Sequence, residues 1–327
     1  MTVLKILCER EEKRMLNIYK TEDHIVSQLQ EFEDGVWVRL INPTSEELTR
    51  VSEHYGIERD DLATALDDEE TSRISLEDDY TLILIDLPSP EVRHHKTMYT
   101  TIPLGIFVLS NTIITVCRQK TPILEDFIRG RVRDFSTKKK MKFVYQICFR
   151  SASLYQMTLR RIENERMEIE ERAGKKTEDS DLINLHELES TLVYFITSLR
   201  ANSAVIERLK RYKRLEQYDD DMELLEDVQV EYQQAIEMAA IYRDIIDGTR
   251  DLLSSIINTR LNNVMKYLTS ITLVMAIPTV ISGIYGMNVD TEWMPLAHTP
   301  YGFGIVCLIM VVICVVIMLI LKKKKML

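Results

Sequence analysis

The sequence predicts an α+β membrane protein: an N-terminal cytoplasmic α/β domain, a long helical stalk and two C-terminal transmembrane helices. Three observations support this fold class. Short β-rich runs alternate with helical patterns up to residue 140, helical periodicity fills residues 141–263, and two long apolar runs follow near the C-terminus. The net charge of −10 argues against a partner nucleic acid, because a nucleic-acid-binding protein needs a basic face.

The α/β domain is predicted over residues 1–140, and an acidic, weakly apolar N-terminus indicates that this domain is not preceded by a secretory signal. Runs rich in β-branched and aromatic residues predict five strands. These strands are Val3–Cys8, Val36–Ile41, Tyr80–Leu87, Ile102–Leu109 and Thr112–Cys117. Thr44 or Ser45, followed by Glu47, is a helix start signal, and further helices are predicted at Arg59–Leu66 and Ile123–Arg131.

The domain carries no sequence motif for catalysis. No phosphate-binding loop, nucleophile elbow or zinc-ligand spacing is found in the sequence, so the chain is not predicted to be an enzyme. His94 and His95 are adjacent and would face apart on a strand or loop, which favours surface residues over metal ligands.

The middle of the chain is helical. Residues 141–217 are predicted to form an antiparallel hairpin of helices Lys142–Arg172 and Asp181–Leu215, joined near Gly174. Residues 218–263 are predicted to form a stalk, because a helical pattern begins near Met222 and meets no proline until Pro278. If this helix continues through the first membrane span, it holds about 63 residues and is about 95 Å long.

Two apolar runs are long enough to cross a bilayer. The first span is assigned to residues 264–288, with its apolar run at Val264–Ile284, and the second to residues 302–321. Between them, the loop of residues 289–301 contains Asp290 and Glu292 but no lysine or arginine, whereas the tail of residues 322–327 is lysine-rich. The positive-inside rule therefore places both termini in the cytoplasm and the loop outside, where Trp293 suits the interface.

The two spans differ in polarity. The second contains nothing more polar than Cys307 and Cys314, which lie on one helical face and are interpreted as packing residues rather than metal ligands. The first contains several hydroxyl groups, and its Pro278 frees the carbonyl of Val274, which neighbours or water must satisfy. These features fit either a helix packed in a bundle or the lining of a pore, and a pore requires several copies of the chain.

One stripe of the first span repeats at steps of three and four residues. Its members are Asn262, Met265, Leu268, Thr272, Ala276, Thr279 and Gly283. The spacing alone favours a helix-packing face.

The end of the first span carries the sequence Tyr285-Gly286-Met287-Asn288, and Met294-Pro295 follows in the loop. Together with two C-terminal spans and a lysine-rich tail, this arrangement resembles the CorA-type magnesium transporter family. The stretches ALDDEETSRISLEDDYTLILIDLP and NNVMKYLTSIT are also similar to the family pattern. The resemblance implies a funnel-shaped homopentamer in the prokaryotic plasma membrane. It further implies transport of Mg²⁺, often also Co²⁺ or Ni²⁺, without ATP.

The resemblance also implies roles for particular residues. Gly286, Met287 and Asn288 match the selectivity filter, although Asn288 could instead cap the helix. The stripe Asn262, Met265, Leu268, Thr272, Ala276 and Thr279 matches the pore lining, with a gate at Met265 and Leu268. Asp227 matches a regulatory Mg²⁺ ligand between subunits. Glu91 is the closest acidic candidate for the second ligand. For Asp227, the alternative interpretation is a solvated helix residue without a metal.

Two other functions remain open at this level. Zinc-transporting relatives usually vary the residue at the position of Met287, so this methionine favours magnesium without deciding the ion. A membrane-anchored scaffold that conducts nothing is the other alternative, and the polar stripe of the first span argues against it.

Overall fold

The computed structural model describes residues 15–22, 25–93, 96–175, 179–211, 219–288, 292, 294–296 and 299–324. Seven strands form one sheet in the order β2-β1-β3-β7-β6-β5-β4, in which only β3 and β7 pair in parallel. The strands are β1 Met15–Glu22, β2 Ile25–Leu29, β3 Trp37–Ile41, β4 Arg73–Leu76, β5 Tyr80–Arg93, β6 Lys96–Leu109 and β7 Ile113–Cys117.

Seven helices accompany the sheet in the described part of the chain. They are α1 Ser45–Tyr55, α2 Arg59–Thr64, α3 Pro122–Ile128, α4 Lys140–Lys175, α5 Asp179–Arg211, α6 Asp219–Tyr285 and α7 Gly302–Lys323. Helix α1 begins at a complete capping box. The Thr44 hydroxyl accepts from the Glu47 amide, and the Glu47 carboxylate accepts from the Thr44 amide. This cap confirms the helix start predicted at Thr44.

The sheet is covered on both faces. On one face, Leu48, Val51 and Leu62 of α1 and α2 pack with Val38 and Phe107 in a fully apolar core. On the other face, the buried Trp37 contacts the rings of Phe127 and Phe143 from α3 and α4. The indole Nε1 donates to the Thr115 hydroxyl at 2.9 Å, so the largest of the fully buried side chains has its polar group satisfied.

Strand β5 extends past β4 and is held there by a helix side chain. Beyond Leu84, β5 has no strand beside it among the described residues on its β4 side. Asn202 of α5 fills this place, because its Oδ1 accepts from the Asp86 amide at 2.9 Å and its Nδ2 donates to the Asp86 carbonyl at 2.8 Å. The Tyr155 hydroxyl of α4 donates to the same carbonyl at 3.1 Å. The outer half of β5 is therefore anchored to the helical layer rather than to a strand.

This arrangement explains why β5 continues through two prolines. The amide of Asp86 faces Asn202, and backbone groups alternate in direction along a strand, so Pro88 and Pro90 face the same unpaired edge. A proline at such a position removes no hydrogen bond from the ladder with β6. The prediction that this strand ends at Leu87 was therefore wrong, and the strand continues to Arg93.

By contacts, the chain divides into two compact units, residues 1–249 and 250–327. In the first unit, α6 buries a stripe that contacts the sheet domain's helices, consisting of Leu225, Val228, Tyr232, Ala235, Ala239 and Ile246. The Gln156 amide of α4 donates to the Glu231 carboxylate at 2.6 Å, and the buried Arg166 donates to the Thr249 hydroxyl at 3.1 Å. These bonds attach the stalk part of α6 to the hairpin helix α4.

The second unit contains the apolar part of α6 and the helix α7. Both helices are long and apolar enough to cross a membrane, and only 6% of each apolar window is buried in the chain. A core helix of a soluble protein would be mostly buried, so these surfaces need another apolar environment.

The predicted elements and the structure agree closely in the helices. The structure has one helix over each arm of the predicted hairpin, an unbroken helix to Tyr285 and a second apolar helix. Strands β1, β2 and β4 were missed, while β6 begins at Lys96 rather than at Ile102. The predicted strand Val3–Cys8, His94, His95, Asp290 and Trp293 lie outside the described residues.

Candidate functional site

The stripe of the first apolar helix lies entirely on the surface of the chain. Steps of three and four residues at 100° per residue keep its members within an arc of about 120°. All of them are exposed: Asn262, Met265, Leu268, Thr272, Ala276, Thr279 and Gly283. In a single chain, no part of this face is covered.

The opposite face of the same helix is the one that packs. Ser270 is buried, and Val274, Ile277 and Ile281 are half-buried, about 180° from the stripe. On α7, the half-buried residues also repeat at steps of three and four: Cys307, Met310, Cys314 and Ile317, followed by the buried Leu321. The Cys314 Sγ lies 3.8 Å from the Val274 carbonyl oxygen, so these two faces meet. The stripe therefore faces away from the chain's own second span.

Three hydroxyl groups on the first span bond to their own helix. The hydroxyls of Thr272, Thr279 and Ser282 donate to the carbonyl four residues earlier, at 2.8, 3.0 and 2.7 Å. Such back-bonding satisfies the donor in an apolar environment and leaves the oxygen lone pairs as acceptors. Exposed hydroxyl oxygens on the stripe can therefore accept hydrogen bonds from water or from a hydrated cation.

The helix ends at Tyr285, the first residue of the sequence Tyr285-Gly286-Met287-Asn288, here called the mouth motif. The Gly286 amide donates to the Ser282 carbonyl at 2.9 Å, and the Met287 amide donates to the Ile284 carbonyl at 3.3 Å. A Cβ on Gly286 would lie 3.1 Å from the Ser282 carbonyl oxygen, closer than almost all real Cβ contacts, so glycine suits this tight end. Gly286, Met287 and Asn288 are all exposed. These two backbone amides already bond to carbonyls of the last helical turn. The helix end is therefore capped in part without the Asn288 side chain.

The mouth motif is tied to the following loop. The Tyr285 hydroxyl donates to the Pro295 carbonyl at 2.8 Å, which joins the two sequence motifs that carry the family resemblance. At the start of α7, a Cβ on Gly302 would lie 2.0 Å from the Leu296 carbonyl oxygen, so only glycine fits there. Sequence reasoning missed both contacts, which depend on how the loop folds back onto the two helix ends.

The two predicted regulatory residues lie in the first unit. Asp227 is exposed on α6, between the buried Leu225 and Val228, and Glu91 is half-exposed on the outer half of β5. Within the described part of one chain, no group of three or more His, Cys, Asp or Glu side chains is arranged to hold a metal ion.

The fold and the site together indicate a membrane transporter with a charged α/β domain, a long helix and two helices apolar enough to cross a membrane. Residues 32–323 match the family described as CorA-like Mg²⁺ transporter protein. The chain belongs to this family. It is accordingly a transporter of the divalent-cation class and not an enzyme.

Individual relatives agree with this assignment. The chain is 32% identical over 291 residues to the cobalt/magnesium transport protein CorA of Methanocaldococcus jannaschii, which covers 86% of this chain and 88% of the relative. It is 26% identical over 300 residues to the protein of the same name from Thermotoga maritima, with 89% and 84% covered. The complete structure of the Methanocaldococcus jannaschii magnesium transporter superposes with a TM-score of 0.80 at 29% identity, over 95% of this chain and 98% of that one.

Proposed function

We propose that the protein is a homopentameric channel that passes Mg²⁺, and also Co²⁺ or Ni²⁺, into the cytoplasm of a prokaryotic cell. The observation that carries this proposal is the position of the polar stripe. Its residues are exposed on the face of the first span directed away from the second span. Polar groups inside a membrane face protein or water. In the described part of a single chain, no other protein segment covers the stripe. A ring of identical chains encloses such faces around a common axis.

The mouth suits a hydrated cation. Mg²⁺ loses its water reluctantly, so a cage of protein ligands is a poor first binding site. The exposed Asn288 amide oxygen and the nearby backbone carbonyls can accept hydrogen bonds from the ion's first-shell water. Neutral acceptors hold the ion strongly enough to admit it and weakly enough to release it. Met265 and Leu268, both more than half exposed, form the apolar constriction that closes the path by dewetting.

The membrane potential supplies the driving force. A doubly charged ion gains roughly 4.6 kcal/mol on entering across 100 mV, negative inside. Transport therefore needs no nucleotide.

Cytoplasmic Mg²⁺ closes the channel in this proposal. Asp227 of one subunit approaches an acidic group of its neighbour, with Glu91 as the candidate, and a bound cation cancels their repulsion. At an effective dielectric constant near 20, two like charges about 4 Å apart repel by about 4 kcal/mol. Five such interfaces hold the stalks together when Mg²⁺ is bound. When the ions leave, the open state gains population.

The test is ion uptake by liposomes that contain the purified full-length protein. With a negative-inside potential, wild-type protein should admit Mg²⁺, and Asn288→Ala should lower the rate at least about tenfold, equivalent to about 1.4 kcal/mol at the mouth. Asn263→Ala is the matched control, because Asn263 is an exposed asparagine on the same helix, next to the first span but off the stripe. Preference for Zn²⁺ with dependence on a proton gradient would support the zinc alternative. Absence of flux for every divalent ion would support a scaffold.

A further inference from the structure

Pro278 interrupts the hydrogen bonding of the first span. In an α-helix, the carbonyl of Val274 accepts from the amide of residue 278, and proline has no amide hydrogen. An unsatisfied carbonyl in the hydrocarbon region costs several kcal/mol. The helix nevertheless continues through Pro278 to Tyr285, so other groups must compensate at this turn.

Two side chains donate to carbonyls near the proline, although only the Val274 carbonyl has lost its amide partner. The Thr279 hydroxyl donates to the Met275 carbonyl at 3.0 Å. The thiol of Cys314, on the second span, lies 3.8 Å from the Val274 carbonyl oxygen, within the longer range of a sulfur donor. The carbonyl that Pro278 leaves open is therefore satisfied from the other helix.

The position of Cys314 suits this role. It lies in the half-buried stripe of α7 that faces the first span, whereas Cys307 lies seven residues earlier on the same face and makes no such bond among the described residues. A cysteine is small enough to let two helices approach and still carries a donor. The chain thus places a donor opposite the carbonyl that Pro278 leaves without an amide partner.

We propose that Cys314 is a positioning residue for the ion path: its thiol replaces the amide that Pro278 removes and fixes the first span at this turn against the second. This inference rests on the proposed channel function. The turn lies between Thr272 and Thr279 of the stripe, so the direction of the mouth segment Ser282–Asn288 depends on it. Without the thiol bond, the mouth should lose its fixed position and ions should pass more slowly.

The first test is spectroscopic and does not depend on transport. The S–H stretching band of Cys314 is isolated as the infrared difference between wild-type protein and Cys314→Val, both full-length in lipid. It should lie at the low frequency of a bonded thiol. In a Pro278→Ala background, where an amide again reaches the Val274 carbonyl, the band should move to the frequency of a free thiol. A band at the same position in both backgrounds would overturn the proposal.

The second test compares Mg²⁺ uptake in liposomes. Cys314→Val should lower the rate about threefold, as expected for loss of one weak hydrogen bond. Cys314→Ser, which keeps a donor, should restore it, and Cys307→Val should leave it unchanged. In the Pro278→Ala background, Cys314→Val should have no further effect, because the bond it removes is no longer needed. Equal losses in both backgrounds would overturn the proposal.

The two tests separate this inference from the channel function. If wild-type protein carries no Mg²⁺, the proposed function fails, and the infrared band still decides whether the thiol bonds to the carbonyl. If wild-type protein conducts and the band shows a free thiol, only the role of Cys314 fails.

Discussion

Asn202 holds the outer half of β5, and its removal should destabilise the first unit strongly. Its side chain is fully buried and makes three hydrogen bonds. Its Oδ1 accepts from the Asp86 amide at 2.9 Å and from the Ser72 hydroxyl at 2.8 Å, and its Nδ2 donates to the Asp86 carbonyl at 2.8 Å. Asn202→Ala removes all three while leaving the helix intact, because alanine favours helices.

The loss of stability expected for Asn202→Ala depends on which groups lose their hydrogen-bond partners. The Asp86 carbonyl keeps the Tyr155 hydroxyl at 3.1 Å, whereas the Asp86 amide lies on an edge of β5 that no described strand covers and loses its partner. One buried orphan donor costs about 1–3 kcal/mol, and the other lost bonds add about 0.5–1.5 kcal/mol each, so we expect about 3 kcal/mol in total. In a unit of this size 1 kcal/mol corresponds to roughly 2–4 °C, which gives a fall in melting temperature of roughly 6–12 °C.

The assay is thermal unfolding of the full-length protein in detergent, followed by far-ultraviolet circular dichroism. Ser203→Ala is the matched control, because Ser203 is the next residue of α5 and is half-buried, and it should change the midpoint little. If Asn202→Ala shifts the midpoint by no more than this control, the anchoring of β5 by Asn202 is wrong.

Two further predictions concern charge. Burial raises the pKa of Asp86 above its ordinary value of 3.8, so the native state keeps the proton to higher pH than the unfolded state, and ionisation of Asp86 costs stability as pH rises through the native pKa. Asp86→Asn should therefore raise the melting temperature at pH above neutrality, with a gain that shrinks towards pH 3.8; a gain independent of pH would contradict this. Mg²⁺ should protect wild-type protein from protease, and Asp227→Ala should weaken that protection, whereas Glu223→Ala, also exposed on α6, should not. Equal protection of Asp227→Ala and wild type would refute a regulatory role for this carboxylate.

The helices were predictable because their signals are local. The capping box at Thr44 and Glu47, the three- and four-residue repeats and the apolar runs each specify an element without reference to the rest of the chain. The unbroken path of α6 through Gly248 followed from the lack of proline before Pro278.

The strands that the sequence analysis missed are stabilised by contacts with residues distant in the chain, and these contacts leave no local sequence pattern. Strand β2 is an edge strand with mostly exposed residues, so it lacks the apolar alternation by which a strand is recognised. Strand β5 continues past its predicted end at Leu87 through Pro88 and Pro90, two residues that local rules assign to strand ends and edges. They are tolerated because this edge of β5 is covered by a helix side chain, Asn202, and not by a strand, and Asn202 lies more than a hundred residues away. Such long-range compensation is tertiary, and no local rule contains it.

The candidate site divides in the same way. The stripe from Asn262 to Gly283 could be read from spacing, and the mouth motif could be read from its resemblance to a family. The sequence also showed that the Val274 carbonyl needs a partner, but it could not show that Cys314 supplies one, because the register of two apolar helices depends on their packing.

The central claim is that the stripe lines a water-filled path, and substituted cysteines test it most directly. Thr279→Cys places a thiol on the stripe, and Ile281→Cys places one on the face that packs towards the second span. A charged, water-soluble thiol reagent added to liposomes should stop Mg²⁺ uptake by Thr279→Cys within the reaction time. Uptake by Ile281→Cys and by wild-type protein, with its five native cysteines, should continue. Continued uptake by the treated Thr279→Cys protein, or block of Ile281→Cys alone, would contradict the account.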